Sequence, residues 1–193
     1  MPGWKLSDEV LRELASKYCD NRSEAHVLPK VAVLNALYGT NVLAIREMAR
    51  HIASVFRETL GEPGPDIVER IAAPKELGVA RRFLSFASKY CHFFVSPERF
   101  AIYDSQALAA LCLHLGSGRP KTAKDSGLSY PAYLEAINRL RERDCLSCSY
   151  AELDRYLWLC GERLDFARRR KGQKTPVINK EALELFSSNR DYA

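Results

Sequence analysis

Asp104 is the residue of this chain whose type and setting point most directly to chemistry. An apolar, aromatic segment, Phe83 to Phe94, precedes it. A short turn with Pro97 follows, and Asp104 stands where a new helix should begin. A carboxylate at that position can cap the helix by accepting backbone N–H bonds. Held at the mouth of a cleft, it can instead stabilise a sugar cation as a nucleobase departs, and activate a water to attack the anomeric carbon. Lys89 is the second candidate. On a largely apolar helix, a lysine that loses part of its charge to desolvation becomes an amine nucleophile able to form a Schiff base. The ordinary alternative is a lysine whose stem is buried and whose ammonium reaches water. His92 lies one turn beyond Lys89 on the same face, either lining the same pocket or satisfied within the core.

The elements that must carry these residues read as helices nearly throughout. Ser7 is placed to cap a first helix, with Val10, Leu11, Leu14, Ala15 and Tyr18 recurring at helical spacing. A second runs from about His26 to Tyr38, with Pro29 in its first turn and Gly39 ending it. Thr40 or Asn41 is expected to cap a third, whose apolar face is Ile45, Met48, Ala49, Ile52 and Phe56. The loop Gly61–Pro65 separates it from a short helix, Asp66 to Ala72. Further helices are expected over Phe83–Phe94, from Asp104 to about Leu115, from Pro131 to Arg143, from Ser149 to about Leu164, and over Lys180–Phe186. The alternating run Phe100 to Tyr103 is too short to build a sheet. The expectation is an all-α fold of about eight to ten helices, forming one compact domain or two lobes. The lobes would comprise about 24–115, and 1–20 with 130–186.

The order of a glycine turn, a helix, a short loop ending in Ile102-Tyr103-Asp104-Ser105 and a further helix resembles the helix-hairpin-helix superfamily of base-excision DNA glycosylases, of the 8-oxoguanine-glycosylase kind. The resemblance covers roughly residues 28 to 115. It implies a two-lobed helical fold in which Leu77-Gly78-Val79-Ala80-Arg81 is the phosphate-binding hairpin, with Arg82 beside it, and Asp104 is the catalytic carboxylate. It also implies that Asn35, Tyr38 and Asn41 probe the gap left by an extruded base. Ala80 stands at the hairpin's second glycine position and no lysine follows it. Base removal is therefore implied, without a clear strand-cleaving lyase. Lys89, His92, Tyr103 and Ser105 are the remaining residues expected near the base pocket. The activity implied is hydrolysis of an N-glycosidic bond in duplex DNA. The alternatives are a catalytically inactive helical nucleic-acid-binding or adaptor protein, and more remotely a helical protein–protein module.

Composition is compatible with these readings. The 193 residues are 47% hydrophobic and 27% charged, enough for a real core, and the formal net charge is +5. A mildly basic balance suits a polyanionic partner without requiring one. Arg81, Arg82, Arg119, Lys121, Lys124 and the run Arg168–Lys171 would grip backbone phosphates if they share a face. The aromatic residues Tyr90, Phe93, Phe94, Phe100 and Tyr103 would stack on a flipped base, or else form core. Six cysteines among mostly apolar neighbours read as buried free thiols. Cys145 and Cys148 form a lone CxxC, too little for a zinc or iron–sulfur site, so neither metal nor cofactor is expected. No stretch has the length of a membrane span and the N-terminus lacks an apolar signal segment, so a cytoplasmic protein acting on DNA as a monomer is expected.

Overall fold

The computed structural model describes residues 3–74, 81–116, 128–172, 179, 180, 182 and 186. Among these are eight helices: α1 Gly3–Lys17, α2 Glu24–Tyr38, α3 Ile45–Glu58, α4 Asp66–Ala72, α5 Leu84–Phe94, α6 Ser105–His114, α7 Tyr130–Arg143 and α8 Tyr150–Arg170. The fold is all-α. No helix among the described residues is long and apolar enough to cross a membrane.

Two compact units divide the chain. The first comprises Met1–Tyr103 with Ser129–Glu135, the second Asp104–Leu128 with Ala136–Ala193. The division differs from the expected lobes in three places, one of them Ser129–Glu135, which belongs to the first unit. Helix α1 belongs to the first unit, where it packs on α2 and α5. Its Leu11 is fully buried, and an apolar stripe covered by its nearest neighbours in sequence has no need of a distant lobe. The boundary also falls at Asp104, not near residue 115, because α6 packs on α8.

In the first unit, Val27, Val31 and Leu34 of α2 meet Met48, Ile52 and Ala53 of α3, all fully buried. Ile67, Val68 and Ile71 of α4 are likewise closed off, and α4 lies against α5. Each large aliphatic side chain removed from water contributes roughly 1.5–3 kcal/mol. His51 Nε2 donates to the Arg70 carbonyl at 2.9 Å and so ties α3 to α4. Two helix starts differ from expectation. α1 begins at Gly3, which puts Ser7 inside it and not at its cap. α3 begins only at Ile45, with Ala44 at the cap, because residues 39–44 form a loop held by Asn35. Pro29 lies inside α2, in its second turn. The carbonyl it leaves unbonded belongs to exposed Ala25, where solvent can take it.

Residues 100–103 lie outside the helices and pair with no strand among the described residues. Their buried backbone is satisfied by side chains instead, as buried peptide groups require. His92 Nδ1–H donates to the Phe100 carbonyl at 2.7 Å, Tyr130 Oη–H to Ala101 at 2.8 Å and Tyr133 Oη–H to Ile102 at 2.8 Å. Ser88 Oγ accepts the Tyr103 N–H at 2.9 Å.

In the second unit the decisive contact is glycine on backbone. A Cβ built on Gly161 of α8 would lie 2.3 Å from the Gln106 carbonyl oxygen of α6. The two helices meet through this missing side chain. Gly161→Ala should therefore force α6 and α8 apart and cost about 1–3 kcal/mol, exceeding the helix-propensity gain of roughly 1 kcal/mol. Chemical denaturation would read a lowered midpoint; an unchanged or raised one would show that the helices can slide at no cost. Ser149 starts α8 through a reciprocal capping box with Glu152, where sequence placed the cap. Further along, Trp158 and Phe166 pack on Ala182 and Phe186.

Candidate functional site

Asp104 is the N-cap of α6. Its backbone is extended (φ −139°, ψ 147°), and its Oδ1 accepts the Gln106 N–H at 2.8 Å. The side chain is half-buried, and the neighbouring Ser105 is exposed. The capping role anticipated as the simpler possibility is thus occupied. It also fixes the carboxylate on the rigid end of a helix. Asp104 and Ser105 belong to the second unit; the other described candidates belong to the first.

Within the first unit Lys89 is not a surface lysine. It is 6% exposed, its Nζ donates to Ser85 Oγ at 2.8 Å, and the ammonium stands 5.7 Å from the centre of the Tyr38 ring. Helix α5 is buried nearly all round, so the stem has no path along a solvent face. The snorkelling alternative is corrected. Tyr38 is half-buried and packs against Phe93 at 5.7 Å, so Tyr38, Lys89 and Phe93 form one cluster.

His92 and Tyr103 serve the segment described above. His92 spends Nδ1–H on Phe100 and packs edge-on against Phe93; Tyr103 is buried edge-to-face against Tyr133 at 5.1 Å. Both are core residues, as are Tyr90, Phe94 and Phe100. Asn35 is also committed to structure. Its Nδ2 donates to the Val42 carbonyl at 3.2 Å, while its Oδ1 accepts from Thr40 Oγ1 at 2.8 Å and Val42 N–H at 2.9 Å. That carboxamide shapes the loop and is not extended toward a partner. The loop does present Asn41, exposed and left-handed at φ 56°, with Leu43 93% exposed two residues on. Arg81 is exposed and lies over the Phe83 ring at 5.1 Å; Arg82 is exposed and paired with Glu69. Gly78 and Leu77–Ala80 of the proposed hairpin lie outside the described residues, as do Arg119, Lys121 and Lys124. The six cysteines are free, but only Cys91 is buried, and its surroundings push that thiol far above its usual range; Cys19 and Cys145 are exposed.

Two polar arrangements escaped the sequence reading. In the second unit, Gln106 Nε2 donates to Asp165 Oδ2 at 2.9 Å and approaches Glu162 Oε1 at 3.4 Å. Asn179 N–H donates to Glu162 Oε2 at 3.0 Å. Burial, opposed by those two bonds and reinforced by the charges of Asp165 and Asp104, pushes the Glu162 carboxyl above its usual range. A raised folded-state value means stability that is full below the unfolded glutamate value of about 4.3 and is lost as pH rises through the folded one. Glu162→Gln should flatten that part of the stability profile and gain stability at pH 7. Denaturant titrations across pH 4–8 would show it; an unaltered slope would contradict it.

In the first unit, Lys30 lies on the apolar face of α2 among Val27, Val31 and Leu34, and is 1% exposed. Its Nζ donates to Asn21 Oδ1 and sits 5.8 Å and 5.5 Å from the Tyr90 and Phe94 ring centres. Tyr90 Oη–H donates to the same Asn21 oxygen at 2.8 Å, and Asn21 Nδ2 donates to the Phe94 carbonyl at 2.9 Å. Burial lowers the Lys30 pKa to about 8, against the raising effect of Asp20 and Cys19. A lysine in phase with three aliphatic residues was the available signal.

Comparison with known proteins returns a family whose pattern matches residues 2–99, the HI_0787_N family, described as an N-terminal domain. The chain belongs to that family. The HI_0787_N match takes in Asn21, Lys30, Asn35, Tyr38, Lys89 and His92, and stops short of Asp104. An uncharacterized protein of Haemophilus influenzae is 29% identical over 141 residues, which is 72% of this chain and 67% of that protein. Neither description names an activity. No solved structure matches.

Proposed function

We propose that this HI_0787_N family member is a DNA N-glycosylase-like enzyme with a single chemical group, Asp104. It would bind duplex DNA through backbone phosphates, accept an extruded base and hydrolyse the bond to its deoxyribose. The observation that carries the proposal is the placement of Asp104. A half-buried carboxylate with one oxygen anchored by the Gln106 N–H is held in a fixed direction at a helix start. A fixed negative charge of that kind stabilises a developing sugar cation without reorganising during the reaction. Lys89 has no nucleophilic part in it, because its ammonium is buried against Ser85 and Tyr38. Of the residues expected to meet DNA, Asn41, Arg81, Ser105 and Arg169 to Lys171 are exposed, and Arg82 is paired with Glu69.

The test is incubation with duplexes bearing single damaged or modified bases, followed by mass spectrometry of the released base. Release without strand scission, and no borohydride-trapped adduct on Lys89, is the expected result. A helical nucleic-acid-binding protein without chemistry is the second possibility. It is favoured by Asn35, whose carboxamide is spent on its own loop. Salt-sensitive DNA binding with no base released from any duplex would select it.

A further inference from the structure

We propose that the first unit carries a binding site for a small carboxylate with an apolar body, unrelated to DNA, in the cavity beside Lys30. The cavity has a volume of about 420 Å³, at the lower end of the range of small-molecule sites, roughly 300–1,000 Å³. The α1–α2 turn, residues 19–22, forms one wall; Phe56 and Thr59 near the end of α3 and Phe94 of α5 form the others. Arg99 stiffens the loop that borders it, bonding Glu62 at 3.0 Å and the Pro63 carbonyl at 2.7 Å.

Lys30 gives the cavity its chemistry. An ammonium has three donors, and buried charges are ordinarily paired. Here one donor is spent on Asn21 Oδ1, two aromatic rings flank the nitrogen, and no carboxylate of the described residues forms an ion pair with it. Asp20 acts on it only through its field. The nitrogen lies one side chain behind the cavity wall, since its partner Asn21 and its neighbour Phe94 both line the cavity. A ligand oxygen admitted beside the Asn21 carboxamide would take a second of the three ammonium donors, with the Asn21 bonds to Tyr90 and Phe94 kept. Asp20 and Arg22, both in the wall, offset one another and leave one buried cation, which the single charge of a carboxylate balances and the double charge of a phosphate exceeds. The phenyl rings of Phe56 and Phe94 suit a flat apolar body.

This site is independent of base excision, so failure of either leaves the other standing. Isothermal titration of the full-length protein with benzoate and with benzamide, its uncharged analogue, tests it without any substitution. Benzoate should bind one site at least ten-fold more tightly than benzamide. Lys30→Met, checked for helix content by circular dichroism, should lose that preference. Equal affinity for the two probes, an undiminished preference in the variant, or no saturable benzoate binding up to about 10 mM would overturn the proposal, since a desolvated ion pair should exceed the roughly 3 kcal/mol that such a concentration corresponds to.

Discussion

Asp104→Asn should keep the fold, keep DNA affinity and lose base release. Asparagine is as good an N-cap as aspartate, because its side-chain oxygen accepts the same N–H. The Gln106 bond that holds the cap survives the substitution. What disappears is the charge. With it go the stabilisation of the sugar cation and the base that activates water, each of which typically contributes at least 10²-fold in rate. Asp104→Ala separates the two roles from the other side. It removes the cap as well, at about 1 kcal/mol of stability. If Asp104 only tied down backbone amides, the alanine variant would be less stable and the asparagine variant would be indistinguishable from the parent.

Asn21→Leu should be the most destabilising single change in the first unit, at about 2–4 kcal/mol. One oxygen of Asn21 serves both Lys30 and Tyr90, and its amide serves the Phe94 carbonyl. Leucine leaves the Tyr90 hydroxyl and the Phe94 carbonyl unbonded, each a cost of roughly 1–3 kcal/mol if neither relaxes toward water. Lys30 escapes part of the remaining cost by releasing its proton, because burial already lowers its pKa to about 8. Lys30 should accordingly contribute stability that rises between about pH 8 and the unfolded lysine value of about 10.4, where the unfolded chain binds the extra proton, read as the difference between the parent and Lys30→Met because Cys91, raised by burial, contributes with the opposite sign above its unfolded value of about 8.5. The Tyr90 hydroxyl, held well above its usual range chiefly by burial, keeps its proton in the folded chain and opposes the Lys30 contribution only above the unfolded tyrosine value of about 10. Lys30→Met should remove the slope and rescue much of the Asn21→Leu loss. Guanidinium denaturation of the two single variants and the double variant would measure the coupling; additive losses would mean that the network is not one unit.

Much of the architecture was legible because it rests on local rules. Asp66–Ala72, the end of α2 at Tyr38 and the Ser149 cap follow from periodicity, a left-handed glycine and a capping box. The misplaced start of α3 has a different origin. Asn35 holds its loop through contacts five and seven residues away, and side chain-to-backbone bonds of that span leave no periodic trace. The same holds for residues 100–103, whose carbonyls are bonded by residues 8 to 31 positions distant. His92, Tyr103 and Asn35 carried functional expectations because their types suit chemistry, whereas the fold uses His92 and Asn35 as bonding partners for its own backbone and buries Tyr103 against Tyr133. Lys30 shows the reverse. Its position on an aliphatic face was visible, but the convergence on Asn21 is a tertiary fact.

The most direct measurement is single-turnover base release by the parent protein and Asp104→Asn, side by side, on lesion-bearing duplexes that both proteins bind equally. Base liberated by the parent and none by the variant is the outcome expected of a carboxylate that opposes a sugar cation. Equal release by both proteins, or release by neither, would contradict it.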